Sequence, residues 1–259
     1  TLGLRFVGGL GGITALIERV PHAPLGNCPG TVAGTRGRSA RRRRRVFPGR
    51  MASGCGAHQQ RRRQQAVRLG EYWRGRGMAF DAVMTGTLRR HTETLQGIAQ
   101  GLQTMPEVTR WPGLNEYDSH ALISAIHPQP LGPADTPERY RAHFRILCDA
   151  LAQWMAGVIS PQGMPSWEEF SGGVRAVLDH VRHHHAGQNV LLVSSGGPIS
   201  TAVGEVLGTA PEVTIALNMR IRNSAVTEFS ISPKRLMLQT FNTLPHLNEV
   251  EHAPLVTHA

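Results

Sequence analysis

Residues 189–200, N-V-L-L-V-S-S-G-G-P-I-S, constrain the fold more than any other stretch of this chain. Val190 to Val193 are apolar without alternation, the pattern of a strand buried on both faces of a parallel sheet. Two serines and two glycines follow, then Pro198, a residue favoured at the first position of a helix. A strand, a turn of small residues and a helix start leave backbone N–H groups and a positive helix end at the strand's C-terminal edge. Anions suit such a helix end, and ligands of open α/β sheets bind at that edge. The segment therefore reads either as an anion site or as an ordinary βα turn.

The surrounding sequence alternates helical and strand patterns. Residues 65–73 carry apolar side chains at helical spacing and run out at Gly75 and Gly77. Residues 80–84 read as a strand, 85–87 as its turn and 88–102 as a helix. Thr136-Pro137 opens a long helix reaching about residue 159, and Ser166-x-x-Glu169 is a capping box that opens another, to about residue 185. A further helix is expected from Pro198 to Leu207. Residues 225–231 and 236–241, separated by Ser-Pro-Lys-Arg, read as a hairpin on a sheet edge. Such alternation predicts a three-layer α/β/α sandwich with a mostly parallel central sheet.

Two places carry candidate chemistry beside the 194–197 turn. Arg89 and Arg90 fall in the first turn of a helix, where a cation opposes the macrodipole and a bound anion would relieve the conflict. Glu116 and Asp118 lie close together in a polar loop, and a loop acid beside an anion pocket is a candidate proton donor. His180 and His184 are spaced for chelation, but with His183 and His185 beside them they read as a polar face, and no metal is expected. The glycines of residues 2–20 do not fit G-x-G-x-x-G, which excludes a dinucleotide site there.

Charge is distributed unevenly. Residues 1–63 hold 13 arginines against the single acid Glu18, a net +12, whereas residues 64–259 carry a net −2. The first 62 residues read as an irregular basic region and residues 63–259 as the α/β domain. For the basic stretch three readings stand: an arm contacting nucleic-acid phosphates, a solvated tail, or a segment translated out of frame, as the 27 arginines to one lysine of a GC-rich gene would allow. The near-neutral body gives no reason to expect nucleic acid. No apolar run is long enough to span a bilayer, no signal peptide is evident, and Cys28, Cys55 and Cys148 form neither a disulfide framework nor a zinc pattern, so the cytoplasm is the expected compartment.

Residues 63 to about 250 resemble the histidine phosphatase superfamily, the phosphoglycerate mutase-like proteins. R-Q-Q-A-V-R-L-G (63–70) is similar to that family's first helix, and F-D-A-V-M-T-G-T-L-R-R-H-T-E-T (80–94) to its strand followed by S-S-x-L-x-R-x-x-x-T. G-L-N-E (113–116) resembles the loop that supplies the acid, V-L-L-V-S-S-G-G-P-I (190–199) the strand ending V-S-H-G-G-x-I, and N-S-A-V-T (223–227) with F-N-T-L-P-H-L (241–247) the ending. The resemblance implies phosphomonoester hydrolysis without a cofactor. It places Arg90 on the phosphate-binding arginine, Thr94 on the threonine and Glu116 on the proton donor, with Ser195 and Gly196 at the phosphate. The ligand implied is a small phosphorylated molecule or phosphate.

Two departures bear on activity. The family's nucleophilic histidine lies in an R-H-G turn after the first strand, and no R-H-G occurs in this chain. The second active-site histidine is expected at 195, which is serine. His58 lacks the strand-turn context of a nucleophile. The site read from the sequence is thus Arg90, Glu116 and Ser195 with the Gly196 amide. It favours either a hydrolase of little or no turnover or a non-catalytic phosphate-binding homologue. The missing motif was expected at residues 41–51, inside the basic stretch, which favours a frame disruption there. Two segments, 4–7 and 45–47, remain open as the first strand.

Overall fold

The computed structural model describes residues 3–8 and 54–258, with side chains from 59 onward in the second stretch. Six strands form one mixed sheet in the order β3-β2-β4-β1-β5-β6. The strands are β1 (Leu4–Gly8), β2 (Ala82–Thr85), β3 (Val108–Arg110), β4 (Val190–Ser194), β5 (Val226–Ser232) and β6 (Arg235–Thr243). β3, β2, β4 and β1 run parallel, and β5 and β6 add an antiparallel hairpin at one edge. This is the α/β sandwich expected.

The first strand is Leu4–Gly8. It was grouped above with the basic N-terminal region, but all five of its residues are buried and it pairs with β4 on one side and β5 on the other. Of the two segments open as the first strand, 4–7 is thus the one that takes this role, although Arg5 interrupts its apolar run. The arginine is neutralised in place: its Nε donates to Glu228 Oε1 at 2.8 Å across the β1–β5 pair, and Nη1 donates to Asn189 Oδ1 at 3.2 Å. The alternative segment, 45–47, and the stretch 41–51 lie outside the described residues.

Period-two alternation divides the core. Leu4, Phe6, Val190 and Leu192 face one layer, built on Trp154, Val174, Val177, Leu178 and Ile199. Val7, Leu191 and Val193 face the other, built on Ala66, Leu69, Trp73, Ile98 and Leu102. The first layer comprises α3 (Ser119–Ile126), α4 (Pro137–Met155), α5 (Trp167–His184), α6 (Gly196–Leu207) and α7 (Pro211–Asn218). The second comprises α1 (Gly54–Gly75) and α2 (Arg89–Leu102). The capping box at Ser166 and Glu169 is formed, and Thr136 caps α4 through Arg139 N. Several details differ from expectation, the largest being that α1 begins at Gly54, inside the stretch read as irregular, rather than near residue 65. α6 begins at Gly196, two residues before Pro198, and the short elements β3 and α7 were not anticipated. Among the described residues no helix is long and apolar enough to cross a membrane.

α1 and α2 meet backbone to backbone. A Cβ on Gly70 would lie 2.7 Å from Leu102 N, and one on Gly101 2.7 Å from Glu71 N. Alanine is the better helix former by about 1 kcal/mol, but overpacking a tight contact costs about 1–3 kcal/mol, and backbone cannot swing aside as a side chain does. Gly101→Ala is therefore expected to destabilise the protein, lowering the midpoint by a few degrees in a thermal melt. An unchanged or raised midpoint would show that the two helices separate freely.

Candidate active site

The parallel strands β2, β4 and β1 end at one rim, in register: Thr85 pairs with Val193, and Gly8 with Ser194. Three segments leaving this rim supply the candidate residues. The turn after β2 leads into α2 with Arg90 and His91, the loop after β3 carries Asn115 and Glu116, and the turn after β4 carries Ser195 to Gly197. β1 ends at the same rim with Gly8, and the chain beyond it, to residue 53, lies outside the described residues.

Arg90, Glu116, Ser195 and Gly196, read separately from the sequence, converge there. Arg90 Nε donates to Ser195 Oγ at 3.1 Å. Glu116 is partly buried and accepts from Gly197 N through both carboxylate oxygens, at 3.1 Å each, and the Gly196 amide adds to its stabilisation. The carboxyl group thus occupies the N-terminal end of α6, the site the sequence reserved for an external anion. Gly197 permits this approach, since a Cβ there would overlap the Glu116 carboxylate and lie 2.8 Å from the Tyr117 ring. Burial pushes the Glu116 pKa up, against the opposing pull of the amides and the Arg90 charge. Burial also pulls the Arg90 pKa down, and the nearby charge of Arg62 on α1 adds to that. Arg62, a second cation near Arg90, was missed by the sequence reading because it was assigned to the irregular basic region ending at residue 62, whereas it lies in α1.

The acid loop is clipped to the β2–α2 turn. Thr87 N donates to Asn115 Oδ1 and Asn115 Nδ2 donates to Thr87 Oγ1, both at 2.7 Å. On the other side Asn218 Nδ2 donates to Tyr117 OH at 2.8 Å, inside an aromatic group with Trp154 and Phe170. Glu116 is therefore held from both flanks. The remaining sequence candidates have other duties. Asp118 caps α3 by accepting from His120 N and Ala121 N. Arg89 is exposed and paired with Glu93 at 2.7 Å, so only one of the two arginines reaches the rim. Thr94 Oγ1 donates to the Arg90 carbonyl at 2.8 Å and steadies the turn that carries it. His180 stacks near Trp111 and His184, and no group of three metal-ligating side chains occurs among the described residues. His58 lies in α1, and its side chain falls outside the described residues.

His91 is the functional candidate the sequence did not suggest. It is wholly buried, and its Nε2 lies 2.6 Å from Ser195 Oγ. Burial, reinforced by the Arg90 charge, pushes its pKa down to about 3, so the ring is neutral at ordinary pH. Room for the ring comes from Gly86, where a Cβ would lie 2.6 Å from His91 Cε1. A glycine in the β2 turn five residues before a histidine is a visible pattern, but it acquires meaning only when the fold stacks the two.

Residues 59–244 match the family model of the histidine phosphatase superfamily (branch 1). The chain belongs to the histidine phosphatase superfamily. Solved structures agree on the fold. A phosphoserine phosphatase from Entamoeba histolytica, in complex with 3-phosphoglyceric acid, superposes with a TM-score of 0.55 at 17% identity, covering 95% of this chain and 100% of that one. A mycobacterial glucosyl-3-phosphoglycerate phosphatase complexed with VO3 gives 0.55 at 17% identity over 94% and 100%. A putative alpha-ribazole-5'-P phosphatase from Escherichia coli gives 0.51 at 20% identity over 70% and 81%. No curated protein matches the sequence.

The Gly86–His91 stacking is testable as a cycle. Gly86→Ala is expected to cost about 1–3 kcal/mol of stability by overpacking. In a His91→Ala background most of that cost should disappear, leaving the flexible Asn115 amide to adjust. Equal losses in both backgrounds, measured by urea unfolding, would show that the two positions are not coupled.

Proposed function

We propose that this histidine phosphatase homologue binds small phosphate monoesters at the rim formed by Arg90, Ser195 and Glu116, and hydrolyses them slowly or not at all. One observation carries the reading: at the C-terminal ends of the parallel strands the Arg90 guanidinium donates to the Ser195 hydroxyl, and a carboxyl group whose pKa burial raises sits on the Gly197 amide of the same turn. Arg90 is half-buried, and a second cation, Arg62, lies near it, which suits a dianionic phosphate better than a carboxylate or a neutral ligand. The relatives of this fold include phosphatases held with 3-phosphoglyceric acid and with VO3, which supports the same ligand class here.

Weak turnover follows from what stands beside that cradle. In the family's chemistry an imidazole attacks phosphorus, a second histidine and arginines hold the equatorial oxygens, and the acid protonates the leaving oxygen. Glu116 keeps the last role, because burial favours the form that still carries its proton. The sequence after β1 is Gly9-Leu10-Gly11 rather than a histidine turn, and position 195 is a hydroxyl. Removing a nucleophile costs many orders of magnitude, whereas the binding groups survive it.

In calorimetric titrations the protein is expected to bind orthophosphate and phosphoserine, and Arg90→Ala to weaken both by about 10- to 100-fold, the worth of a hydrogen bond to a charged group. p-Nitrophenyl phosphate turnover should be indistinguishable from background. Robust turnover abolished by Arg90→Ala would make the protein a working phosphatase, and absence of phosphate binding would end the proposal.

Glu116 makes the binding pH-dependent with a definite sign. Its folded pKa is raised, so it stays neutral beyond the ordinary carboxyl range and acquires charge only as pH climbs through the raised value. Ionisation then sets a carboxylate against the bound anion. Phosphate affinity of the wild-type protein should fall relative to that of Glu116→Gln as pH rises. The ligand's own titration is common to both proteins and cancels. A ratio of dissociation constants that is flat with pH would remove Glu116 from the pocket's electrostatics.

A further inference from the structure

Two adjacent residues at the start of α2 reach the same oxygen: Arg90 Nε lies 3.1 Å and His91 Nε2 2.6 Å from Ser195 Oγ. Ser195 is the N-cap residue of α6, yet its side chain makes no capping hydrogen bond. Glu116 accepts from the Gly197 amide in its place, so the Ser195 hydroxyl is released from the duty an N-cap serine usually performs. A serine hydroxyl has two lone pairs and one proton, and the structure determines how they are shared.

The Arg90 Nε–H can only donate, and it takes one lone pair. The imidazole has two possible arrangements. In one, Nδ1 carries the proton and Nε2 accepts from Ser195. In the other, Nε2 carries the proton and donates to Ser195. His91 Nδ1 is buried with no hydrogen-bond partner among the described residues, and that decides between them. The first arrangement leaves an orphaned buried N–H, which folded proteins almost never tolerate. The second leaves an idle lone pair, a smaller penalty. Nε2 therefore donates. Ser195 Oγ accepts from both His91 and Arg90, and its own proton must point away from both donors.

We propose that His91 is a positioning residue that, together with Arg90, fixes the Ser195 hydroxyl as a proton donor to an oxygen of the bound phosphate monoester. This rests on the phosphate reading above and adds to it the state of each proton. It also assigns Ser195 to binding rather than attack, since an imidazole already protonated at Nε2 has no lone pair there to take the serine proton. Gly86 makes the arrangement possible by leaving the ring its space. The outcome is a neutral donor held at the place where the family's second histidine was expected, with the imidazole one step behind it.

The test has two parts on the full chain. Long-range proton–nitrogen correlation spectra of the 15N-labelled protein near neutral pH, with His91 assigned by its loss in His91→Gln, should show the proton on Nε2. Orthophosphate titrations should show His91→Leu weakened about 3- to 10-fold, as expected for a neutral hydrogen bond that has lost its aim. His91→Gln, which still offers an N–H, should bind more tightly than His91→Leu. In a Ser195→Ala background, His91→Leu should cost nothing further, because its effect passes through the hydroxyl. A proton on Nδ1, or an equal loss with and without the Ser195 hydroxyl, would overturn the proposal. If His91→Leu fails to fold, the tautomer measured in the wild-type protein decides alone. Absence of phosphate binding by a wild-type protein that carries the Nε2 proton would end the ligand reading and the donor role, while leaving the orientation of the hydroxyl established.

Discussion

The sheet depends on one five-residue strand. β1 joins the parallel half, through β4, to the antiparallel hairpin, through β5, and no other described pairing connects these halves. Its apolar side chains serve both layers, Leu4 and Phe6 on one face and Val7 on the other. The strand also contains a buried arginine, and a lone guanidinium there would be prohibitive. Glu228, directly opposite on β5, and Asn189, just before β4, resolve this by giving the charge partners on both neighbouring strands. Arg5 thus fixes the register of β1 against both neighbours, as a purely apolar strand would not.

With the strands in register, the site assembles at their C-terminal ends with little further specification. Each catalytic-type residue is anchored by something close to it in sequence. Thr94 holds the Arg90 carbonyl, Asn115 clips the loop before Glu116, and Tyr117 with Asn218 anchors it behind. The consequence is a preorganised arrangement in which the internal carboxyl group has replaced solvent or ligand at the end of α6. What the rim presents beside Arg90 is therefore the Ser195 hydroxyl, while the Gly197 amide is already taken by Glu116.

The fold was legible in the sequence wherever local pattern carried it. The unbroken V-L-L-V run, the capping box at Ser166 and the apolar stripes of α2 and α4 gave their elements with correct boundaries to within a few residues. Elements that depend on distant partners were less visible. β1 was one of two segments left open as the first strand, β3 is three residues long, and α7 has too few turns to show a period. The site divides the same way. Arg90, Glu116, Ser195 and Gly196 lie in motifs whose spacing has a local cause. His91 and Arg62 matter only through neighbours far along the chain, Ser195 and Gly86 for the first and Arg90 for the second. Within residues 1–63 the described structure contains the strand Leu4–Gly8 and the first turns of α1, which carry Arg62 to the neighbourhood of Arg90.

The position of β1 in the chain has a consequence for biosynthesis. Leu4 pairs with Val190 and with Phe229, so the strand emerges from the ribosome long before either partner exists. At roughly 5–20 residues per second the wait is on the order of 10–40 seconds. Through that interval the nascent chain carries an exposed apolar segment and an unmatched guanidinium. The centre of the sheet is then completed late, by the longest-range strand pairing among the described residues, which slows folding and lengthens exposure to other chains. A protein built this way is expected to need chaperone protection during synthesis more than its modest size suggests.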